Sequence, residues 1–173
     1  MKILEFEKLE STQKKAKEIS KKAEPWTVIV AKEQTLGYGR KGNFWYSPKG
    51  GLYFSIILPK TKIENLQILT ILAAFSIAKV LKENFKIEPF IKLPNDIFVN
   101  GKKICGILTE NIIFGKEVKS SIVGIGLNTN VEKFPKDLEN VATSIKIELK
   151  KEVDNKDLLE KILKETKEKL ENI

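Results

Sequence analysis

Ile97-Phe98-Val99-Asn100-Gly101-Lys102-Lys103-Ile104-Cys105-Gly106-Ile107-Leu108-Thr109 is the stretch that decides the fold class. Two runs of β-formers, 97–99 and 103–109, flank Asn100-Gly101. That dipeptide is the strongest two-residue hairpin signal, because Asn and Gly both accept the positive φ of a type I′ turn. Working outward, a looser turn at Phe114-Gly115-Lys116 leads into a further strand over 120–127. On the other side, 90–92 is short and extended ahead of Pro94.

The rest of the chain builds around this meander. Residues 2–7 predict an edge strand. Ser11 caps a helix with Ala16, Ile19 and Ala23 on one face, stopped by Pro25. Residues 26–31 and 52–58 predict core strands, the second ended by Pro59. Residues 63–83 predict a helix that is apolar nearly all round and therefore buried. Residues 128–143 are irregular. A closing helix over 154–171 puts Leu158, Leu159, Ile162, Leu163 and Leu170 on one side. The fold class is α+β: a mixed, largely antiparallel sheet with helices packed on one face, in a single domain over 1–173.

Composition removes several mechanisms. There is no histidine, so no His base and no Ser–His triad, and the one cysteine leaves no disulfide or zinc cluster. The net charge is +8, yet Arg40 is the only arginine among 31 basic residues. Lysines spread over every segment form no patch, and a nucleic-acid groove more often uses arginine. The plain reading of the charge is a lysine-rich proteome. Met1-Lys2-Ile3-Leu4-Glu5 carries acid too early for a signal peptide. The apolar stretch 66–81, interrupted by Gln67, Thr70 and Lys79, falls short of a bilayer span. A cytoplasmic protein without a membrane partner is expected.

Residues 33–47 have no period and hold three glycines, so they predict a long functional or mobile loop. Gly37-Tyr38-Gly39-Arg40-Lys41-Gly42 matches G-x-G-x-x-G. In a dinucleotide fold the third glycine opens a helix. Pro48, Gly50 and Gly51 forbid that helix here, and a kinase loop fails because its catalytic element needs histidine. What remains is a loop rich in backbone N–H groups that can face an anion. Arg40 at its centre suits bidentate binding of phosphate or carboxylate.

Lys92-Leu93-Pro94-Asn95-Asp96 precedes the hairpin. Closure at Asn100-Gly101 brings Asp96 near Lys103, a carboxylate beside an ammonium. That pair suits phosphoryl or adenylyl transfer, which is mostly positioning and charge neutralisation. An ordinary cross-strand ion pair is the alternative. In Gly124-Ile125-Gly126-Leu127-Asn128-Thr129-Asn130, glycines alternate inside a strand. They let either a flat ligand or a packed neighbour lie against the backbone. Cys105 reads as a small buried hydrophobe.

The order of these blocks strongly resembles the biotin-protein ligases. The resemblance rests on Gln34-x-x-Gly37-x-Gly39-Arg40-x-Gly42-x-x-Trp45-x-Ser47-Pro48-x-Gly50-Gly51-Leu52-Tyr53-x-Ser55, then Lys92-x-Pro94-Asn95-Asp96. Lys103-Ile104-x-Gly106-Ile107-Leu108-x-Glu110 and Gly124-Ile125-Gly126-x-Asn128-x-Asn130 follow, with Ser11-Thr12-Gln13 upstream. It implies the class II synthetase-like biotin/lipoyl ligase fold. It implies an enzyme that uses ATP and Mg2+ to make biotinyl-5′-AMP. The biotin then passes to a lysine of a biotin carboxyl carrier protein, such as that of acetyl-CoA carboxylase.

Carried over residue by residue, the resemblance assigns catalysis to Arg40, Lys103 and Asp96, and expects no protein metal site. Ser11, Thr12, Gln13 and Gln34 would hold the ureido ring or its surroundings. Gly37, Tyr38, Gly39 and Arg40 belong to the loop over the adenylate. Gly106, Leu108, Gly124 and Gly126 would wall the biotin, with Lys103 at its carboxylate. Arg40, Trp45, Asn95, Lys103 and Asn128 would hold ATP. The sequence departs from the family where Tyr38 and Asn43 replace arginines and Leu93 replaces tryptophan. Neither a DNA-binding extension before this core nor a small SH3-like domain after it is expected, so DNA is not an expected partner. Homodimers occur in the family and a homodimer is expected by analogy. The rival readings are a lipoate-protein ligase or octanoyl transferase of the same fold, a non-catalytic biotin-binding module, and a basic nucleic-acid binder.

Overall fold

The computed structural model describes residues 1–171. Seven strands form one sheet in the order β1-β2-β3-β7-β6-β5-β4. β1 (Lys2–Phe6) runs parallel to β2 (Thr27–Ala31). Every other neighbouring pair is antiparallel: β3 (Leu52–Ile57), β4 (Phe90–Lys92), β5 (Asp96–Val99), β6 (Lys102–Phe114) and β7 (Glu117–Leu127). The parallel pair needs a crossover, and α1 (Thr12–Ile19) supplies it. Ser11 caps α1 by accepting from the Lys14 N–H.

The central hairpin forms where the sequence places it. Asn100 has φ 50° and Gly101 φ 78°, the positive values a type I′ turn demands. β6 is longer than its expected span and reaches Phe114. Glu110 and Asn111 are poor β-formers, but pairing with β7 carries the strand past them.

One irregularity in this hairpin sets the site. The register shifts between Ile97 and Phe98: Phe98 faces Lys103 and Ile97 faces Cys105, which leaves Ile104 extra. Ile104 and Cys105 are then both fully buried in the core. Parity reverses at this bulge, so Lys103, Gly106 and Leu108 share the other face. Without the extra residue, Gly106 and Leu108 would point into the core whenever Lys103 pointed out.

The sheet is covered on both faces. The two long helices, α2 (Leu66–Phe85) and α4 (Asn155–Leu170), pack on one face, as expected. Phe54, Ile56, Val123 and Ile125 meet Leu69, Ile77, Leu81, Leu158 and Ile162 there. The short α1 occupies the opposite face, where Ala16 meets Ile29, Ile57 and Ile122. With its leading turn, the central helical segment covers Ile63–Phe85, longer than the apolar stretch in the sequence. By length and composition it could cross a membrane. Its buried positions instead lie against α4 and the sheet.

A fourth helix, α3 (Ile145–Leu149), was not expected. Ile-Lys-Ile-Glu-Leu alternates like a strand, but the Ser144 hydroxyl caps it by accepting from the Ile147 N–H.

Candidate active site

The floor of the site is the sheet face that carries α1. Register sets Ser55 and Leu108 on either side of Gly124, and Tyr53 and Gly106 on either side of Gly126. Above this floor opens a cavity of about 360 Å³, of the size that holds small ligands.

The first turn of α1 supplies its polar end. Gln34 Oε1 accepts from the Thr12 backbone N–H at 2.8 Å and from the Thr12 hydroxyl at 3.1 Å. Gln34 Nε2 donates to Ser47 Oγ at 2.9 Å. The Ser55 hydroxyl lies 2.9 Å from Thr12 Oγ1 and 3.0 Å from Gln13 Oε1, so its single proton serves either acceptor. Amide and hydroxyl groups thus converge from three elements without a charge. Ser55 was not assigned a role from the sequence. Its signal was the one polar residue in the run Leu52-Tyr53-Phe54-Ser55-Ile56-Ile57.

The glycine loop is more ordered than its sequence suggests. It closes as an irregular hairpin: Gln34 N donates to Ser47 O at 3.0 Å, Trp45 N to Gly37 O at 2.8 Å, and Gly39 N to Asn43 O at 2.8 Å. Its tip is a turn at Arg40–Gly42, with φ of 59° at Lys41 and 75° at Gly42. Gly37 does not line the cavity but sits buried in one arm of this hairpin, where its carbonyl accepts from Trp45 N. A Cβ there would stand 2.6 Å from Ser47 Oγ and 2.9 Å from Gln34 Nε2.

Opposite the loop stand the charged groups. Lys103 Nζ lies 2.8 Å from Asp96 Oδ1. Asn95 Nδ2 donates to the same Asp96 oxygen at 2.9 Å, and Arg40 donates to Asn95 Oδ1 at 3.1 Å. Asp96 therefore holds Lys103 directly and reaches Arg40 only through Asn95. The Leu93-Pro94 bond just before them is cis. Burial pushes the Cys105 thiol well above its ordinary range, which removes it as a nucleophile.

Trp45 divides the site. It lines the main cavity and also a second one of about 170 Å³, which Lys103, Asn128, Phe134 and Ala142 border. Lys103 Nζ sits 5.2 Å from the Trp45 ring centroid. Asn128 thus faces the second cavity and not the first. Its Nδ2 donates to Thr143 O at 3.1 Å, while its Oδ1 is buried without a partner among the described residues.

Two of the strand glycines serve Trp45. A Cβ on Gly126 would stand 2.3 Å from Trp45 Nε1, and one on Gly106 3.1 Å from its Cζ3. A Cβ on Gly124 would meet Gln13 Oε1 at 2.5 Å. The expectation that these glycines wall the biotin needs that amendment: all three line the cavity, but protein side chains take up the space over their α-carbons. Gly126→Ala forces the indole off the sheet, with an expected cost of about 1–3 kcal/mol from overpacking. Thermal denaturation checks it, and an unchanged midpoint would show that Trp45 yields freely.

The structure also brings together most of the remaining sequence-assigned residues. Ser11, Tyr38, Gly39, Arg40, Asn95, Asp96 and Leu108 all line the main cavity. Among the described residues, no group of three or more His, Cys, Asp or Glu could hold a metal.

Comparison with known proteins agrees with this geometry. The sequence profile of the biotin/lipoate A/B protein ligase family matches residues 5–128. The bifunctional ligase/repressor BirA of Bacillus subtilis is 39% identical over 160 residues, covering 90% of this chain and 49% of that protein. The biotin-[acetyl-CoA-carboxylase] ligase of Paracoccus denitrificans is 34% identical over 105 residues, 58% of this chain and 43% of that one. The chain thus spans about half the length of the curated relatives it matches. Among solved structures, the Aquifex aeolicus biotin protein ligase in complex with biotin and ATP superposes with a TM-score of 0.89 at 35% identity. That match covers 99% of this chain and 71% of the other. With the profile running from β1 to the end of β7 and the neighbouring structures sharing the sheet, the chain belongs to the biotin/lipoate A/B protein ligase family.

Proposed function

We propose that this chain, as one catalytic domain over 1–173, makes biotinyl-5′-AMP from biotin and ATP and passes the biotin to a carrier-protein lysine. The observation that carries the reading is the junction of two cavities at Lys103 and Trp45. One cavity ends in uncharged amides and hydroxyls, and the other is lined by aromatics and by Asn128, whose side-chain oxygen is buried without a partner among the described residues. A ureido ring offers two N–H donors and one carbonyl acceptor, which suits Thr12, Gln13, Gln34 and Ser55. A lipoate dithiolane offers none, so those buried polar groups would discriminate against it. Adenine in the second cavity would bring an exocyclic amino group to Asn128 Oδ1, with Trp45 as its wall.

The charges then meet where the chemistry needs them. A biotin carboxylate oxygen forms a bond to the α-phosphorus, and the bond to the β-phosphate bridging oxygen breaks as pyrophosphate leaves. Lys103 and Arg40 offset the negative charge of the approaching groups. In the second half, the carrier amine forms a bond to the acyl carbon. The acyl–phosphate bond breaks, AMP leaves, and the amine gives up a proton. Asp96 orients Lys103 and, as the carboxylate lining the main cavity, is placed to receive that proton. Magnesium, which the resemblance implies, would be held by triphosphate oxygens rather than by a protein cluster, and it would supply charge neutralisation there.

The partner is a biotin carboxyl carrier protein in the cytoplasm, and a homodimer without DNA binding belongs to the same reading. The Leishmania major biotin protein ligase in complex with biotinyl-5-AMP, at a TM-score of 0.80 and 29% identity, supports the intermediate. Biotin-dependent exchange of labelled pyrophosphate into ATP by this chain tests it. Exchange with biotin and none with lipoate is the expected result. No exchange, with biotin still raising the melting temperature, would instead favour a non-catalytic biotin-binding module.

A further inference from the structure

Tyr38 lies two residues before Arg40, in the ascending arm of the glycine hairpin. Its hydroxyl donates to Glu110 Oε2 at 3.0 Å. Lys17, from α1, donates to Glu110 Oε1 at 2.9 Å, and its ammonium stands 5.9 Å from the Tyr38 ring centroid. Loop, helix and sheet, from three separate stretches of chain, therefore meet at one carboxylate. Burial alone would raise that carboxyl, but hydrogen bonds from Lys17, Gln13 and Tyr38 outweigh it and hold it below its ordinary value. Burial first, and the Glu110 charge second, push the Tyr38 phenol above its usual range. It is therefore a proton donor at any neutral pH.

The loop has a second side-chain anchor, Arg40 on Asn95, and the two differ in kind. Arg40 is exposed, gives one of its five N–H donors to Asn95, and has the reacting anions to serve as well. Tyr38 is held by a different kind of acceptor, a charged, half-buried carboxylate that one cation, Lys17, also holds. Hydrogen bonds to charged groups are the stronger class. Gln13 shares the same carboxylate, so this anchor also touches the polar end of the cavity.

We propose that Lys17, Glu110 and Tyr38 form a clasp, in which Tyr38 is a positioning residue that keeps the loop stem docked while Arg40 serves the reacting carboxylate and phosphate. The catalytic half of this statement rests on the ligase reading above; the docking half does not.

Trypsin reads the docking directly, because Arg40 and Lys41 at the loop tip are both cleavage sites. In the full chain, Tyr38→Phe is expected to speed cleavage there about tenfold, as loss of a charge-assisted hydrogen bond predicts. Mass spectrometry identifies the site. Glu110→Ala should match that effect, and the double variant should cut no faster than either single one. Biotinyl-AMP bound to Tyr38→Phe should also be lost several-fold faster. Wild-type cleavage at 40 and 41 in Tyr38→Phe would overturn the clasp. So would additive effects in the double variant, or a lowered melting temperature with every site cut faster alike. If the wild-type chain forms no adenylate, the ligase reading fails while the cleavage rates still decide the clasp.

Discussion

Lys103→Ala is expected to lower biotin-dependent pyrophosphate exchange by about 10²–10³-fold, the usual cost of removing one group aimed at transition-state charge. Lys103 borders both cavities, so its ammonium is the one cation placed at their junction among the described residues. Its carboxylate partner, Asp96, is itself partly exposed, with side-chain exposures of 30% and 22% across the pair. An ion pair that reaches solvent adds little to stability, about 0–1 kcal/mol. The variant should therefore fold and melt near the wild-type temperature while losing the reaction. Biotin binding at the α1 end, which Lys103 does not touch, should survive. Wild-type exchange in Lys103→Ala would remove Lys103 from the chemistry. A collapse of melting temperature would show that the pair is structural instead.

Arg40→Ala is expected to separate making the adenylate from keeping it. Arg40 sits exposed at the tip of the hairpin, and its side chain donates to Asn95 in the turn before β5. Its removal leaves the Thr12–Gln34–Ser55 network untouched, so biotin affinity should fall only modestly. The loss of one guanidinium-phosphate contact, about 1.5–3 kcal/mol for a bond to a charged group, should speed release of biotinyl-AMP by about 10–100-fold. A single-turnover experiment that follows labelled adenylate through a filter checks it. An unchanged adenylate half-life would show that the tip arginine does not hold the intermediate.

Much of the site could be read in the sequence because its residues sit at backbone-defined places. Ser11 is a cap, Asn100-Gly101 is a turn, and glycines at Gly124 and Gly126 mark close approach. Such residues carry their reason locally. What the sequence hid depends on pairing. The extra residue at Ile104 has no composition cue, yet it turns Lys103, Gly106 and Leu108 to one face. The placement of α1 opposite α2 and α4 follows from strand register, which one-residue steps invert. The clasp at Glu110 joins residues 72 positions apart in the chain, a separation at which no local pattern speaks. Asn128 is a nucleotide residue by its motif, and only the fold shows that it borders a separate cavity, which Trp45 also lines.

Trp45 also gives the protein an optical signal of its own. The chain has two tryptophans, and Trp26 packs against the far core with Lys167 5.9 Å from its ring centroid. Replacing Trp26 with phenylalanine leaves one indole, placed in the partition between the two cavities and beside an ammonium. Its emission responds to what arrives on either side. A ligand arriving in either cavity changes the surroundings of the ring, which lines both. Titrating the two ligands in each order, without label or coupled assay, would show which is admitted first.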